Sequence, residues 1–325
     1  MGGTAVRISS ETLANQAEAT GFRPDMLEKV ALLLQLLDAV RSHPFLKDKL
    51  VLKGGTALNL FIFDVPRLSI DIDLNYVGAA DREAMLAERP KVEEALQAVF
   101  SREGFTVRRV PTEHAGGKWQ LRYPNAGGQS GNLEVDVNFM FRIPLWPVKN
   151  MDSRPVGIWQ AVGIQVVDVH ELAAGKLSAL LSRRQARDLF DCSNLFRLGG
   201  LDRERLRLAF VVYGAMSRKD LRTVVPSDVN FNIADLEHRL IPTLRAAGIE
   251  RIQQDHFGKG LVEDCRNFLA GLLPFTEAEM EFLNRVLDEG EITPELLTTD
   301  EVLQERIRRH PLLEWKALNV RAYKR

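Results

Sequence analysis

The fold of this chain is indicated by two neighbouring motifs, LKGGTAL at residues 52–58 and RLSIDIDL at residues 67–74. The first predicts a glycine turn that opens a helix, and backbone N–H groups at a helix N-terminus bind phosphate. The second predicts a strand whose carboxylates, Asp71 and Asp73, leave the same face because strand side chains alternate. Closely spaced carboxylates hold Mg²⁺ against a phosphate. Together the motifs can bind a triphosphate from both ends, which indicates nucleotidyl transfer.

The glycine turn supplies the predicted nucleotide contacts. Gly54 and Gly55 allow the backbone to approach a phosphate closely, because neither residue carries a Cβ. Thr56 is placed to cap the following helix and to offer its hydroxyl to a phosphate oxygen. Ser69 lies on the same predicted strand face as Asp71, so it is a further candidate phosphate contact. A glycine pair before a helix is by itself usually only a tight turn, so the order of the motifs carries the prediction.

A third carboxylate is predicted on a second alternating strand, residues 132–141. Its apolar residues fall on one face, and Glu134, Asp136 and Asn138 fall on the other. Two strands that both carry carboxylates on a polar face suit neighbouring positions in one sheet. Asp136 would then complete a metal site with Asp71 and Asp73 and help to deprotonate an attacking hydroxyl. The alternative is that these carboxylates are only solvated residues of an exposed sheet face.

A cation and further carboxylates follow in residues 172–191. Lys176 could neutralise the charge of a triphosphate, and the arginines between residues 183 and 187 could add to it. The alternatives are a lysine on a helix surface and a local ion pair between Arg187 and Asp188. We therefore treat Lys176 and Asp188 as candidate catalytic residues.

Hydrophobic periodicity predicts a division into two domains. Strands at 50–52, 69–76, 105–109, 119–123 and 132–141 alternate with helices at 24–40, 56–63 and 82–103. Beyond Asp168 the pattern is helical, with candidates at 170–181, 187–198, 203–216, 235–246, 260–272, 277–287 and 294–310. We expect an α/β (α+β) fold, with a nucleotidyltransferase domain in residues 1–150 and an all-helical domain in residues 151–325 that contributes to the active-site cleft.

Composition limits the class of protein further. The net charge of −1 provides no general basic field for nucleic acid, so any such contact must come from a local patch. One candidate is residues 306–325, where seven Lys or Arg accompany a single Glu and two aromatic residues. An RNA contact and a solvated helix end are both open there. Signal-peptide and membrane-spanning patterns are lacking, so the sequence predicts a cytoplasmic protein with no membrane partner.

These motifs resemble those of the AbiEii/AbiGii-type nucleotidyltransferase toxins, a family that includes the MenT toxins. LKGGTAL with RLSIDID is similar to the first motif of the family, LEVDVN at 133–138 to its middle carboxylate strand, and residues 172–191 to its downstream lysine and aspartate motifs. The likeness spans roughly residues 33–195, and HPLLEWK at 310–316 is also typical of the family.

The resemblance implies a DNA polymerase β-like nucleotidyltransferase fold with a mixed sheet and a helical C-terminal half. It implies Mg²⁺ or Mn²⁺, an NTP donor and often a cognate antitoxin, and members can modify the 3′ acceptor end of tRNA. By position, Asp71 and Asp73 would be metal ligands, Ser69 would lie beside the nucleotide and Lys176 would bind its phosphates. Either Asp188 or Asp191 matches the downstream aspartate, and the role of Thr56 stays open because some relatives carry Ser there.

The sequence thus favours a metal-dependent nucleotidyltransferase toxin that acts on RNA, with tRNA as the predicted acceptor. A second hypothesis keeps the fold and moves the acceptor to a hydroxyl of a protein or a small molecule. A third is a catalytically silent module that binds RNA or a partner protein.

Overall fold

Alternating apolar and polar residues build a mixed sheet in the computed structural model, which describes residues 8–110, 115–246 and 254–323. Within these ranges the strands are β1 (Leu50–Lys53), β2 (Asp71–Tyr76), β3 (Thr106–Arg109), β4 (Gly116–Pro124), β5 (Ser130–Asn138), β6 (Lys149–Met151) and β7 (Ile164–Val166). They join one sheet in the order β3-β4-β5-β2-β1-β7-β6. The central strand β2 pairs antiparallel with β1 and parallel with β5.

Helices pack against the sheet. The α-helices that precede β3 in the described ranges are α1 (Ser10–Thr20), α2 (Pro24–Ser42), α3 (Gly54–Ala57) and α4 (Arg82–Arg102). Of these, α2 contacts β5 and β7, and α4 contacts β3 and α2. Phe100 of α4 packs edge-on against the fully buried Trp119 of β4, with ring centres 5.5 Å apart. Burial of such large rings stabilises this layer.

The helix after the glycine turn differs in form from its prediction. The sequence predicts it at residues 56–63, but α3 begins at Gly54 and continues directly into a wider π-helical turn, Leu58–Ile62. Asn59 donates a hydrogen bond from its side-chain amide to the Gly55 carbonyl at 2.9 Å. The glycines therefore lie inside the first helical turn, where their N–H groups have no earlier partner in the helix.

By its contacts the chain divides into two compact units. The sheet unit contains the described residues among 8–142, 148–167 and 242–246, and the helical unit contains those among 143–147, 168–241 and 254–323. The predicted division at residue 150 cuts through β6, whereas the sheet unit continues to β7, which pairs in parallel with β1 through Leu52 and Val166. Strands β6 and β7 were not predicted, because three-residue strands carry too little alternation to be recognised.

The helical unit consists of helices and short helical turns, as predicted. Its helices are α5 (Val169–Arg183), α6 (Ala186–Leu198), α7 (Arg203–Met216), Gln254–Leu272, Glu277–Asn284, Glu301–Arg308 and Pro311–Tyr323, with short helical turns between them. The fold class, a mixed α/β sheet followed by a helical C-terminal region, is confirmed. No helix in the described ranges has the length and apolar character needed to cross a membrane.

Two predicted helices are wrong in extent. The helix expected at 235–246 is a series of short turns, Ile233–Asp235, Leu236–Leu240 and Ile241–Thr243, within which Pro242 has no N–H to donate. The helix expected at 294–310 divides into the turn Pro294–Leu296 and the helix Glu301–Arg308. Asp300 starts the second helix, because its carboxylate accepts hydrogen bonds from the N–H groups of Val302 and Leu303.

Candidate active site

Four charged residues form a row across the centre of the sheet. Lys53 of β1 lies directly beside Asp73 of β2, Asp73 beside Asp136 of β5, and Asp136 beside Lys118 of β4. Residues paired in register share one face of a sheet, so two carboxylates stand next to each other with an ammonium group at either end. We call these four residues the carboxylate row. The prediction that the two carboxylate-bearing strands are neighbours is confirmed.

The electrostatics of the row centre on Asp136. Burial raises the pKa of Asp136 above its ordinary value, and the charge of Asp73 raises it further, against the opposing charges of Lys53 and Lys118. The raised pKa makes the ionised Asp136 a better proton acceptor than an ordinary aspartate. It also means that bringing a cation to the row would relieve repulsion between its carboxylates.

At the outer end of the row, Lys118 is held by an acidic neighbour on β5. Its ammonium group lies 2.8 Å from Oε2 of Glu134. This hydrogen bond raises the pKa of Lys118, and the charges of Asp71 and Asp136 raise it further. Lys118 therefore stays charged beside Asp136 at any pH near neutrality.

Gly54 brings the glycine turn into contact with the row. Its φ of +75° is a conformation that glycine adopts without strain, and a Cβ built on it would lie 2.2 Å from Oδ2 of Asp73. The N-terminus of α3 and the Asp73 carboxylate thus approach each other more closely than any other residue type would allow. This contact supplies the reason for a glycine at position 54.

Thr56 is used differently from its prediction. Its side chain is fully buried, and its hydroxyl donates to the Asp71 carbonyl at 2.5 Å, which fastens α3 to the start of β2. The residue at the helix cap is Lys53, which makes no side-chain capping bond. Ser69 is buried as well and lies just before β2 begins at Asp71. The sheet unit therefore collects Gly54, Gly55, Thr56, Ser69, Asp71, Asp73 and Asp136 around one end of β2.

Lys176, Asp188 and Asp191 form a buried cluster in the helical unit. The Lys176 ammonium group on α5 lies 2.9 Å from Oδ1 of Asp188 and 2.9 Å from Oδ2 of Asp191, both on α6. Arg183 adds a two-pronged contact to Asp188, at 2.6 Å and 3.0 Å. Both aspartates that the sequence left as alternatives thus contact Lys176.

Charge is balanced inside this cluster. Burial opposes ionisation of Asp188, but the charges of Lys176 and Arg183 outweigh it and lower the pKa of Asp188. Lys176 is only 8% exposed, and the two aspartates are 1% and 0% exposed. Two cations and two carboxylates compensate one another, so α5 and α6 are joined by a buried ionic network. Roles for Lys176 in phosphate binding and for Asp188 in catalysis stay predictions, as does a contribution of the helical domain to the cleft.

The carboxylate row suits the way in which proteins bind Mg²⁺. Among the described residues no group of three or more His, Cys, Asp or Glu is arranged as a ready-made metal site. Mg²⁺ is commonly held by one or two carboxylates together with the phosphates of a substrate, rather than by an all-protein cage. The neighbouring Asp73 and Asp136 match that donor set. The assignment of Asp71, Asp73 and Asp136 as metal ligands stays a prediction.

Two lysines of this site were not singled out from the sequence. Lys53 precedes the glycines and Lys118 follows a loop, and neither has a distinctive spacing from a carboxylate. Their place beside Asp73 and Asp136 follows from strand register alone. The available signal was the alternation of β4, in which Lys118 stands on the polar face opposite the buried Trp119.

The C-terminal basic segment mostly makes internal contacts. Arg306 donates to the carbonyls of Pro144 and Leu145 at 3.3 Å and 3.2 Å. Arg308 and Arg309 form ion pairs with glutamates, of which Glu305 is shared. On the helix Pro311–Tyr323, Trp315 is 54% exposed, and residues 324 and 325 lie outside the described ranges. An RNA contact at this segment stays a prediction.

Comparison with known proteins identifies the family and supports the fold. The family model described as "Nucleotidyl transferase AbiEii toxin, Type IV TA system" matches residues 35–301. The chain is also similar in structure to MenT4, a nucleotidyltransferase toxin from Mycobacterium tuberculosis H37Rv, with a TM-score of 0.59 and 18% sequence identity over 96% of this chain and 99% of MenT4. No curated protein matches in sequence. The structural likeness supports the fold, and the family match covers most of the chain.

The contact at Gly54 leads to a first prediction. Gly54→Ala should lower nucleotidyl transfer about a hundredfold, because the new Cβ displaces the Asp73 carboxylate. The matched control is Gly128→Ala, since Gly128 has a φ of +77° and nothing within 4 Å of a built Cβ. Both variants should lose about 1–2 kcal/mol of stability through backbone strain. Equal activities of the two variants in a steady-state assay would contradict the predicted contact.

A second prediction concerns Asp136. The native state binds a proton at Asp136 more tightly than the unfolded state does, so its contribution to stability is present at acid pH and is lost as the pH rises through the raised pKa. Asp136→Asn should therefore raise the thermal midpoint at pH 7 in chelator-treated buffer while it abolishes activity. The gain should shrink as the pH is lowered toward 4. A lower midpoint at pH 7 would show that Asp136 stabilises the row.

A third prediction concerns the ionic cluster. Lys176→Met should cost about 3 kcal/mol of unfolding free energy in urea, because it leaves two buried carboxylates without their shared cation. Adding Asp191→Asn to Lys176→Met should recover part of that loss, as a double-mutant cycle would reveal. Additive losses in the cycle would mean that Lys176 and Asp191 do not interact energetically.

Proposed function

This chain belongs to the AbiEii nucleotidyl transferase toxin family of type IV toxin–antitoxin systems, and we propose that it transfers a nucleoside monophosphate from an NTP to the 3′ end of a tRNA. The family supplies the enzyme class, the NTP donor and a cognate antitoxin. The acceptor, the metal dependence and the site residues belong to the proposal. The observation that supports it best is the register of β2 with β5, which sets Asp73 beside Asp136 at the glycine turn.

The proposed reaction is a displacement at the α-phosphorus of the NTP. The 3′-hydroxyl oxygen of the RNA forms a bond to that phosphorus, and the bond from phosphorus to the oxygen bridging the α- and β-phosphates breaks. Pyrophosphate leaves with that bridging oxygen, and the hydroxyl proton passes to the Asp136 carboxylate. The raised pKa of Asp136 suits this proton transfer.

The protein's own groups orient the two substrates. The N–H groups that open α3 at Gly54 and Gly55 are suited to bind phosphate oxygens of the donor, as at other helix N-termini. Lys53 lies next to Asp73 and adds a positive charge on the same side of the row. A divalent ion, Mg²⁺ or Mn²⁺, held by Asp71, Asp73 and Asp136, would supply charge neutralisation at the α-phosphate and the leaving pyrophosphate.

The tRNA 3′ end is proposed because members of the resembling family modify that acceptor. A tRNA acceptor end is an exposed single strand with a free 3′-hydroxyl, so it can reach a carboxylate row without unpairing a helix. Modification there would block aminoacylation and hence translation, which would account for toxicity.

The test is transfer of label from each of the four NTPs to total tRNA in the presence of Mg²⁺. Label in the α-phosphate should enter tRNA and label in the γ-phosphate should leave as pyrophosphate, which distinguishes nucleotidyl from phosphoryl transfer. Periodate-oxidised tRNA, which has lost its 3′-hydroxyl, should accept no label. Chelation of the divalent metal should also stop the reaction.

Two variants complete this prediction. Asp73→Asn should reduce labelling by about a hundredfold or more, because it removes one of the carboxylate charges that would hold the divalent ion beside the donor. Asp48→Asn is the matched control, since Asp48 is 73% exposed and pairs only loosely with Lys47, at 3.9 Å. Label in protein in place of tRNA would move the acceptor to a protein hydroxyl, and the absence of label from any NTP would refute the proposed activity.

A further inference from the structure

The polar face of the sheet continues beyond the carboxylate row toward the edge strand β3. Next to the row, Asp71 is in register with Glu134, Glu134 with Gln120, and Gln120 with Arg109. One step further, Asn132 pairs with Arg122, which pairs with Thr106. The strand register therefore places these residues on one continuous surface that extends from the carboxylates to β3.

This surface holds three cations on a single face. Lys118, Gln120 and Arg122 are exposed, and they alternate along β4 with the buried Trp119, Leu121 and Tyr123. A shift of register between Val107 and Arg109 places Arg109 directly across from Gln120, so it shares the exposed face. We call Lys118, Arg122 and Arg109 the basic track.

The track is most positive at its β3 end, because Asp71, Glu134 and Asp136 all lie near Lys118. Strands β3, β4 and β5 contain two acidic residues, Glu134 and Asp136. Glu134 is paired with Lys118 at 2.8 Å, and Asp136 belongs to the carboxylate row. Arg122 stands between Asn132 and Thr106, both uncharged. From Lys118 to Arg122 the track extends about 14 Å along β4, at about 3.4 Å for each strand residue.

We propose that the basic track binds the ribose–phosphate backbone of the acceptor RNA and leads its 3′ end to Asp136. The inference rests on the proposed function and adds the surface through which RNA is held. Exposed Lys and Arg side chains that follow a groove or face are the usual means of binding a nucleic-acid backbone without reading its sequence. The chain's net charge of −1 makes such a local surface necessary.

The strand order places the proposed acceptor site and the proposed donor site at opposite ends of the carboxylate row. The order of strands β4-β5-β2-β1 places Lys118, Asp136, Asp73 and Lys53 in sequence, and Gly54 follows Lys53. The glycine turn lies at one end of the carboxylate row, and the basic track begins at the other. Donor and acceptor would thus approach the carboxylates from opposite sides, as the in-line geometry of attacking and leaving oxygens requires.

The experiment measures KM for tRNA and KM for the NTP separately, at two salt concentrations. The double variant Arg109→Ala/Arg122→Ala should raise KM for tRNA about tenfold at low salt and leave KM for the NTP within about twofold. The salt dependence of the tRNA KM should become shallower, by about 0.7 in the log–log slope for each RNA phosphate that the variant no longer neutralises. The single variant Arg122→Lys keeps the positive charge at this position, so its KM for tRNA should be closer to that of the wild type than to that of the double variant.

The matched control is Arg102→Ala. Arg102 is the last residue of α4, the helix that covers the opposite face, and its side chain is 53% exposed. This substitution removes one arginine from the same unit without touching the track, so KM for tRNA should be unchanged. Thermal midpoints of all variants establish that the sheet unit remains folded.

Three results would overturn the inference. An unchanged tRNA KM and salt slope in the double variant would show that RNA does not follow the track. An equal rise with Arg102→Ala would reduce the effect to general charge, and a rise confined to the NTP KM would assign the track to the donor. These outcomes leave the proposed function intact as long as the wild-type protein labels tRNA, whereas the absence of labelling refutes both.

Discussion

Asp73 and Asp136 lie side by side because β2 and β5 pair in parallel at the centre of the sheet. Their carboxylates repel each other, and the rest of the site is arranged around that repulsion. Two neighbouring carboxylates are unfavourable in a partly buried position, and this is expressed in the raised pKa of Asp136. Lys53 and Lys118 at the ends of the row offset part of the cost. A cation with its bound phosphate would relieve the repulsion that remains, so the same interaction that destabilises the sheet would favour substrate binding.

The approach of the helix N-terminus depends on that row as well. Gly54 contacts Asp73 at a distance that no Cβ would allow, and Thr56 fastens the same turn to the carbonyl of Asp71. The turn therefore meets the strand in two ways, through the close approach of Gly54 to the Asp73 carboxylate and through the hydroxyl of Thr56. In the helical unit, the charges of Lys176 and Arg183 balance those of Asp188 and Asp191, and these ion pairs fix α5 against α6.

The parts that could be predicted from the sequence are those with a local pattern. The alternation of residues 69–76 and 132–141 was enough to place Asp71, Asp73 and Asp136 on polar strand faces, and the strands proved to be neighbours. Elements whose presence or length depends on distant partners were either missed or predicted to be too long. Strands β6 and β7 are too short to show alternation, and the helix expected at 294–310 is interrupted where Asp300 caps a new one. The hydrogen bond from Thr56 to β2 could not be predicted, because its acceptor, the Asp71 carbonyl, belongs to a different element of the chain.

The sequence by itself determined the class of fold, the motifs of the nucleotidyltransferase family and the residues whose chemistry suits phosphate and metal, since each follows from residue type and spacing within one segment. Only the tertiary structure decided which charges stand together. Lys53, Asp73, Asp136 and Lys118 come from four strands, and Arg109 and Arg122 reach the same face through two further pairings. The physical reason is that a sheet's register is set by hydrogen bonds and packing between strands that are remote in sequence, and a shift of one residue would send every side chain of a strand to the opposite face.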